Sequence, residues 1–275
     1  MKILIVGCGY LGSKTAERLL NRGHEVWALR RDENALKELS AKGVRPFRAD
    51  ILKPAPLKEL PSFHAAVLCQ APDKKENYEQ VYFEGTRNII EALWKQELKK
   101  LILISSTSVY SVKDGSWVDE KDDPKRGGAM DADAEWLLKT EELVLSEKQG
   151  VILRLGGIYG PGRNRIEALK AGKLKSSFSE AFVNRIHVDD AAAGIELLLE
   201  KGKTGEIYLG VDDQPSTQKE FYEWICDKLS LPKESGETPK EIVRSSNKRC
   251  SNKKIKELGL KLKYPTFKEG YAEWI

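Results

Sequence analysis

The sequence predicts an α/β fold in which helices cover both faces of a doubly wound parallel sheet. Two observations carry this prediction. Short apolar segments rich in β-branched residues alternate with helical segments through most of the chain, and a glycine-rich turn follows the first apolar segment. Such alternation favours parallel strands joined by right-handed crossover helices. The chain of 275 residues is long enough for one large domain, or for one domain with an added lobe.

The N-terminal segment contains a strand, a turn, a helix and a second strand. The run KILIVG is continuous and apolar, as in a strand that is buried on both faces of a parallel sheet. The turn GCGYLG leads into SKTAERLLNRGHEV, whose apolar residues recur at helical spacing, and EVWALRR is the next strand. Strand, glycine turn, helix and strand in this order form the Rossmann dinucleotide-binding unit.

Each glycine of this turn has a physical role. Gly7 permits a tight turn, Gly9 lets a cofactor pyrophosphate approach the backbone, and Gly12 lets the helix pack close to the strand. The helix starts near Tyr10 and Leu11, where free N–H groups and the positive dipole end face the phosphates. We therefore predict that these five residues bind a dinucleotide. The alternative is a glycine turn that serves packing alone.

The end of the second strand lies beside the adenosine ribose in units of this kind. Proteins that prefer NAD usually carry an acidic residue there, whereas this chain has Arg30 and Arg31, followed by Asp32. A guanidinium can bind a 2′-phosphate through paired, charge-assisted hydrogen bonds. We predict NADP as the cofactor. The alternative is that one arginine ends the strand and that Asp32 binds the ribose of NAD.

The alternation of strands and helices continues to about residue 163. Further strands are predicted over 44–50, 65–71, 99–110 and 151–160, and helices over 77–98 and 131–148. Ligands bind outside the carboxyl ends of such strands, so Gln70, Ser106 and the turn GGIYGPG should line one cleft. A strand at RIH is expected to return to the main sheet before a helix, and a further amphipathic helix is expected over 216–231.

This pattern predicts one compact unit with two parts. The Rossmann domain covers 1–165, and residues 183–210 return to it. A small C-terminal substrate-binding lobe is formed by 166–182 and 211–275.

Composition excludes several kinds of partner. The net charge of +4 is spread along the chain apart from a basic stretch over 244–263, which is too weak a signal for nucleic-acid binding. The four cysteines and three histidines are scattered, without the spacing of a disulfide framework or a metal site. There is no leader pattern, and no run of about 18 apolar residues that would span a membrane. We expect a cytoplasmic monomer or homodimer that binds no metal, nucleic acid or membrane.

Six segments together resemble the extended and atypical short-chain dehydrogenase/reductase superfamily. They occur in the order GCGYLG, FEGTRNIIEA, LILISSTSVY, ILRLGGIYGPGR, RIHVDDAAAGI and SNKRCSNKKIKELGLKLKYPTFKEG, and they span nearly the whole chain. The superfamily includes nucleotide-sugar epimerases and dehydratases, and this chain is most similar to an uncharacterised epimerase/dehydratase-like branch. The resemblance implies a Rossmann fold with bound NAD(P), and it leaves the substrate open.

The resemblance also assigns residues to the site. The cofactor group lies beside the adenine, after the fourth strand and next to the nicotinamide: Asp50, Ile51, Gln70, Ala71, Gly157, Ile158 and Tyr159. The catalytic group follows the fifth strand: Ser106, Thr107 and Tyr110. Ser106 matches the active-site hydroxyl. A turn residue is the alternative for Asp50, and a packed ring is the alternative for Tyr159.

Two departures from the superfamily pattern bear on the reaction. Dehydratases carry an acidic pair after the active-site threonine, where this chain has Thr107 and Ser108. A hydroxyl cannot serve as the general acid that eliminates water, so sugar dehydration is not expected. The Y-x-x-x-K pair is also missing, because no tyrosine occurs between Tyr110 and Tyr159.

The helix that carries this pair in the superfamily can be aligned in two ways. Alignment on Glu135 puts Gly127 and Asp131 in the tyrosine and lysine positions, and alignment on Glu141 puts Asp133 and Leu137 there. An aspartate is a poor proton donor at neutral pH unless burial raises its pKa. Tyr10, Tyr110 and Tyr159 are the tyrosines that the sequence offers as replacements.

Three hypotheses for the function follow. The first is an NADP-dependent oxidoreductase or epimerase acting on a small carbonyl or sugar-nucleotide substrate with a non-standard acid/base group. The second is a non-catalytic sensor or regulatory protein that binds NADP(H), and the third is a protein whose dinucleotide is purely structural. The retained cleft segments favour the first, and the missing pair favours the other two.

Overall fold

The structure is a computed structural model that describes residues 1–72, 78–171, 179–233 and 247–275. The strands are β1 Lys2–Val6, β2 Glu25–Arg30, β3 Arg45–Arg48, β4 Ala65–Leu68, β5 Lys100–Ser106, β6 Trp117–Val118, β7 Gly150–Leu155, β8 Gly157–Tyr159, β9 Phe182–Val183, β10 Arg185–His187, β11 Ile207–Gly210, β12 Ser216–Thr217 and β13 Arg249–Cys250. The helices are α1 Tyr10–Asn21, α2 Glu33–Ala41, α3 Pro54–Leu57, α4 Gly85–Leu93, α5 Ala132–Leu145, α6 Ile166–Lys170, α7 Val188–Lys201, α8 Gln218–Leu229, α9 Lys253–Leu258 and α10 Phe267–Ala272. A π-helical turn, Glu79–Glu84, precedes α4, and a 3₁₀ turn, Thr107–Val109, follows β5.

Seven strands form the central sheet, in the order β11-β7-β5-β4-β1-β2-β3. The inner strand β1 pairs in parallel with both β2 and β4, and its residues 3–6 are fully buried. A strand buried on both faces needs a continuous apolar run, which is what KILIVG supplies. The predicted α/β class with a parallel Rossmann-like sheet is confirmed.

The sheet differs from the expectation at its later strands. The run over 151–160 is two strands, β7 and β8, which are separated at Gly156. A side chain at Gly156 would come within 2.9 Å of the Asn184 carbonyl oxygen. The RIH segment, β10, pairs with β8 in a separate two-stranded sheet and does not return to the main sheet. The returning strand is β11, which the sequence pattern did not single out.

The described residues form two compact units. The first unit comprises Met1–Ser106, Asp131–Arg154 and Ala192–Tyr208. Its core is apolar and includes Leu4, Leu68 and Leu103 from adjacent strands and Ile89 from α4. None of the helices in the described part of the chain is long and apolar enough to cross a bilayer.

The second unit comprises Thr107–Met130, Leu155–Ala191 and Leu209–Ile275. Its core is largely aromatic, with Phe221 and Tyr222 of α8 packed on Phe267 and Tyr271 of α10. The predicted division into a Rossmann domain and a lobe stays a prediction. Three predictions lie partly outside the described residues. They are the start of the helix predicted from residue 77, and the parts of the predicted lobe and of the basic stretch that fall in 172–178 and 234–246.

Candidate functional site

The glycine turn of the first unit has the geometry of a phosphate-binding turn. Gly7 has a φ of +76°, and a Cβ there would lie 2.5 Å from the Gln70 Cα, so both conformation and space require glycine. A Cβ on Gly12 would lie 2.9 Å from the Gly7 carbonyl oxygen, which explains the close helix packing. At Gly9 the nearest atom to a Cβ is the Gly7 carbonyl oxygen, 3.9 Å away. The backbone at Gly9 is therefore open on one side, as an approaching pyrophosphate requires.

The N-terminus of α1 is suited to an anion. The helix begins at Tyr10 after Gly9, which makes no side-chain cap, and its first turn has no acidic residue. The first amides of a helix, here including those of Tyr10 and Leu11, have no acceptor within the helix, and the dipole makes this end positive. These features match the groups that a dinucleotide pyrophosphate needs.

Gln70, near this turn, has a buried polar atom that a ligand could satisfy. It is buried beside the turn, and its Nε2 donates to Thr86 Oγ1 over 2.8 Å. Its Oε1 is buried and has no hydrogen-bond partner in the structure. A buried acceptor without a donor costs about 1–3 kcal/mol, so a donor from a ligand would satisfy it. Ala71, the next residue, is exposed.

The end of β2 and the start of α2 carry the residues of the two cofactor alternatives. Arg30 is half-buried, and its Nη1 donates to the Cys8 carbonyl oxygen over 2.8 Å, which holds the guanidinium against the glycine turn. Arg31 is exposed. Asp32 caps α2, with Oδ1 accepting from the amides of Asn34 and Ala35. A carboxylate engaged in this way is a poorer ligand for a ribose than one that is free.

Asp50 and Ile51 form the turn after β3. Asp50 Oδ1 accepts from the amide of Leu52 at 3.0 Å, and the Ile51 carbonyl accepts from Asn88 Nδ2 at 2.9 Å. Gly85 allows α4 to pack on this turn, because a Cβ there would lie 2.5 Å from Ile51 Cδ1. The turn role of Asp50 is thus present, and a role beside the adenine stays a prediction.

A buried ion pair behind β5 holds one of the two serines at the end of this strand. Glu141 of α5 and Arg154 of β7 are both almost fully buried, and Arg154 Nη2 donates to Glu141 Oε2 over 2.6 Å. Ser105 donates to Glu141 Oε1 over 2.5 Å. Successive strand residues face opposite sides, so Ser106, which is half-buried, is directed away from this pair.

The same ion pair favours one alignment of α5. Glu141 is held at a specific buried place, whereas Glu135 is exposed. Alignment on Glu141 leaves Asp133 and Leu137 at the positions of the missing pair. Asp133 is half-buried on the first turn of α5.

In the second unit, Thr107 and Tyr110 are buried. The Tyr110 hydroxyl donates to the Asp119 carbonyl oxygen over 2.8 Å, and the ammonium of the buried Lys248 donates to the Tyr110 carbonyl oxygen over 2.9 Å. These bonds give Tyr110 a structural role, and a catalytic role for it stays an untested prediction. Lys248 belongs to the basic stretch over 244–263, and its side chain is buried.

The segment Gly157–Tyr159 of the second unit is β8. Gly157 is exposed and Ile158 is half-buried, so their backbone is accessible at one side. The Tyr159 ring is buried and stacks on Tyr271 with the ring centres 4.9 Å apart, and burial raises the pKa of its hydroxyl. Its side chain is therefore a packed ring, and the cofactor role predicted for this segment would fall to its backbone.

Among the residues that the structure describes, no group of three or more histidine, cysteine, aspartate or glutamate side chains is placed to hold a metal ion.

Comparison with known proteins identifies the family. Residues 3–209 match the sequence profile of the NAD dependent epimerase/dehydratase family. Protein YeeZ of Escherichia coli K12 is 25% identical to this chain, over 96% of each. The 4-hydroxy-2-methyl-3-oxo-4-farnesyl-3,4-dihydroquinoline-1-oxide ketoreductase of Stigmatella aurantiaca is 25% identical, over 87% of this chain and 76% of the ketoreductase. A solved structure from Methylobacillus flagellatus, of a protein named as an NAD-dependent epimerase/dehydratase, is 33% identical with a TM-score of 0.81, over 99% and 96% of the two chains. The chain belongs to the NAD dependent epimerase/dehydratase family.

Proposed function

We propose that the protein is an NADP-dependent oxidoreductase that reduces a small carbonyl or sugar-nucleotide substrate, with Ser106 holding the reacting oxygen. The observation that carries the choice of cofactor is the position of Arg30, whose guanidinium lies against the glycine turn while Asp32 caps α2. The family relationship and the reductase among the relatives support the class of reaction.

The dinucleotide would lie along the first unit. Its pyrophosphate would meet the backbone at Gly9 and the first amides of α1, and its 2′-phosphate would meet Arg30 and Arg31. A reduced nicotinamide, when bound, supplies the hydride for a carbonyl carbon. Asp50, Ile51, Gln70 and Ala71 would line the adenine and ribose side. The cofactor role that the sequence predicts for the backbone of Gly157–Tyr159 stays a prediction.

Ser106 is proposed to act on the substrate oxygen. Its hydroxyl can donate a hydrogen bond to a carbonyl, and this bond strengthens as negative charge develops on the oxygen. Ser105 donates to Glu141 on the other side of the strand, so it is Ser106 that is proposed for this role. Thr107 is buried in the following turn and is proposed to support its position.

The test is reduction of a panel of ketones, aldehydes and sugar nucleotides with NADPH. Ser106→Ala should lower kcat by about 100- to 1000-fold, the range for loss of one donor to a developing oxyanion, with NADPH affinity changed by less than about twofold. The matched control is Ser108→Ala, which removes an exposed hydroxyl two residues away and should leave kcat unchanged. If Ser106→Ala turns over like the unmodified protein, Ser106 does not hold the oxygen.

A second candidate, a non-catalytic NADP(H) sensor, is favoured by the absence of the Y-x-x-x-K pair. It predicts tight NADPH binding without turnover on the whole panel. The reductase proposal predicts both binding and turnover.

A further inference from the structure

We propose that the Tyr82 hydroxyl, on the π-helical turn that packs against α5, is the proton donor to the substrate oxygen in place of the tyrosine that α5 lacks. The proposal rests on the proposed function, because it names the donor of that same site. It also narrows the reaction, since this arrangement suits carbonyl reduction better than alcohol oxidation.

The first argument is position. In the alignment on Glu141, Asp133 stands where the superfamily helix carries its tyrosine. The π-helical turn Glu79–Glu84 packs against this part of α5, with the Phe83 and Trp136 rings 5.6 Å apart. Asp133 acts electrostatically on both Tyr78 and Tyr82, so the carboxylate lies near their hydroxyls. The neighbouring helix thus brings a phenol near the position where α5 lacks one.

The second argument is that Tyr82 lies at the ligand-binding edge of the sheet. Cys69, directly after β4, is among the electrostatic neighbours of Tyr82. Thr86, one turn further along the helix, accepts the hydrogen bond of Gln70. These contacts fix the start of α4 to the carboxyl end of β4, where ligands of parallel sheets bind. π-helical turns are rare and occur frequently at functional sites.

Tyr82 is a better candidate than the other nearby phenol. The rings of Tyr78 and Tyr82 lie 5.1 Å apart, so the two residues share one environment. Asp131 and Asp133, at the start of α5, act electrostatically on Tyr78, whereas Asp133 and Cys69 act on Tyr82. The hydroxyl nearer the end of β4 is therefore that of Tyr82.

The surroundings keep this phenol protonated. Burial, first of all, and then Tyr78, Asp133 and Cys69 raise the pKa of Tyr82. An alkoxide that forms on a reduced carbonyl is a stronger base than a phenolate, so the proton still moves to it. The Tyr82 O–H bond breaks, an O–H bond forms on the substrate, and the phenolate then takes a proton from water, while a reduced nicotinamide is the source of the hydride at carbon. Oxidation of an alcohol would need Tyr82 as a phenolate to accept the alcohol proton, and the Asp133 carboxylate disfavours that phenolate.

The first measurement is turnover. Tyr82→Phe keeps the ring and its packing and should lower kcat/KM with NADPH by about 100-fold or more, the scale of a lost general acid. NADPH affinity should stay within about twofold. Tyr208→Phe, which removes the hydroxyl of a buried tyrosine elsewhere in the first unit, is the matched control and should have unchanged turnover.

The second measurement does not need turnover. Tyr82 is replaced by 3,5-difluorotyrosine, whose phenol ionises at lower pH and can be followed by ultraviolet absorbance. Its pKa should be lower with NADP⁺ bound than with NADPH bound, because the oxidised nicotinamide is positively charged, and it should fall when Asp133→Asn removes the nearby carboxylate. The same label at position 208 should not respond to either change.

The outcomes separate the two proposals. If calorimetry shows that neither NADPH nor NADP⁺ binds, the proposed function fails, and the role of Tyr82 fails with it. If both bind but the label at 82 titrates identically with each, or if Tyr82→Phe reduces substrates at the unmodified rate, the role of Tyr82 alone is overturned.

Discussion

Substitutions at two glycines of the turn should affect protein stability and dinucleotide affinity differently. Gly9 has a φ of −88° and a ψ of −141°, and the nearest atom to its Cβ position is the Gly7 carbonyl oxygen, 3.9 Å away, so Gly9→Val should lower the free energy of unfolding by less than a substitution at Gly7 does. The side chain would fill the space that the pyrophosphate needs. Loss of two charge-assisted backbone hydrogen bonds, at about 1.5–3 kcal/mol each, lowers dinucleotide affinity by more than about 100-fold.

Gly7→Ala is the comparison. A side chain at a φ of +76°, with its Cβ 2.5 Å from the Gln70 Cα, combines about 1–2 kcal/mol of left-handed strain with about 1–3 kcal/mol of overpacking. Urea unfolding followed by tryptophan fluorescence should therefore show a larger loss of stability for Gly7→Ala than for Gly9→Val. Calorimetry with NADPH gives the affinities. Normal NADPH binding by Gly9→Val would refute the reasoning and place the phosphate site elsewhere.

Two further predictions concern charged groups of the first unit. Replacing Arg30 and Arg31 with alanine should weaken NADPH binding by about 1–3 kcal/mol, or roughly 5- to 150-fold, and leave NADH binding little changed in calorimetry. Arg87→Ala, at an exposed arginine on α4, is the control, and an equal loss for both cofactors would contradict the assignment. Glu141→Gln leaves the buried Arg154 without its counter-charge and should lower the free energy of unfolding by about 3–5 kcal/mol. An unchanged urea midpoint would show that the pair is not buried in solution.

The sequence predicted the glycine turn and the first strands well because their signals are local. Gly7, Gly9 and Gly12 follow a buried apolar run, and neighbouring residues alone determine that turn. The break at Gly156 was missed, because the apolar pattern over 151–160 is continuous. At this break Gly156 lies close to the backbone of the distant Asn184, an approach that no local pattern reveals.

The candidate site was predictable only in part for the same reason. Tyr82 lies in a segment that the sequence identified as a helix, but its nearness to Asp133 depends on how two helices pack. Lys248 reads locally as part of a basic, polar segment. Its burial and its bond to the Tyr110 carbonyl join residues that are far apart in the chain.

The most direct test of the account is the affinity of the unmodified protein for NADPH and NADH, measured by calorimetry under the same conditions. Because Arg30 lies against the glycine turn and Asp32 caps α2, NADPH should bind at least about fivefold more tightly, the lower end of the scale for a charge-assisted contact. Equal affinities, or tighter binding of NADH, would contradict the account.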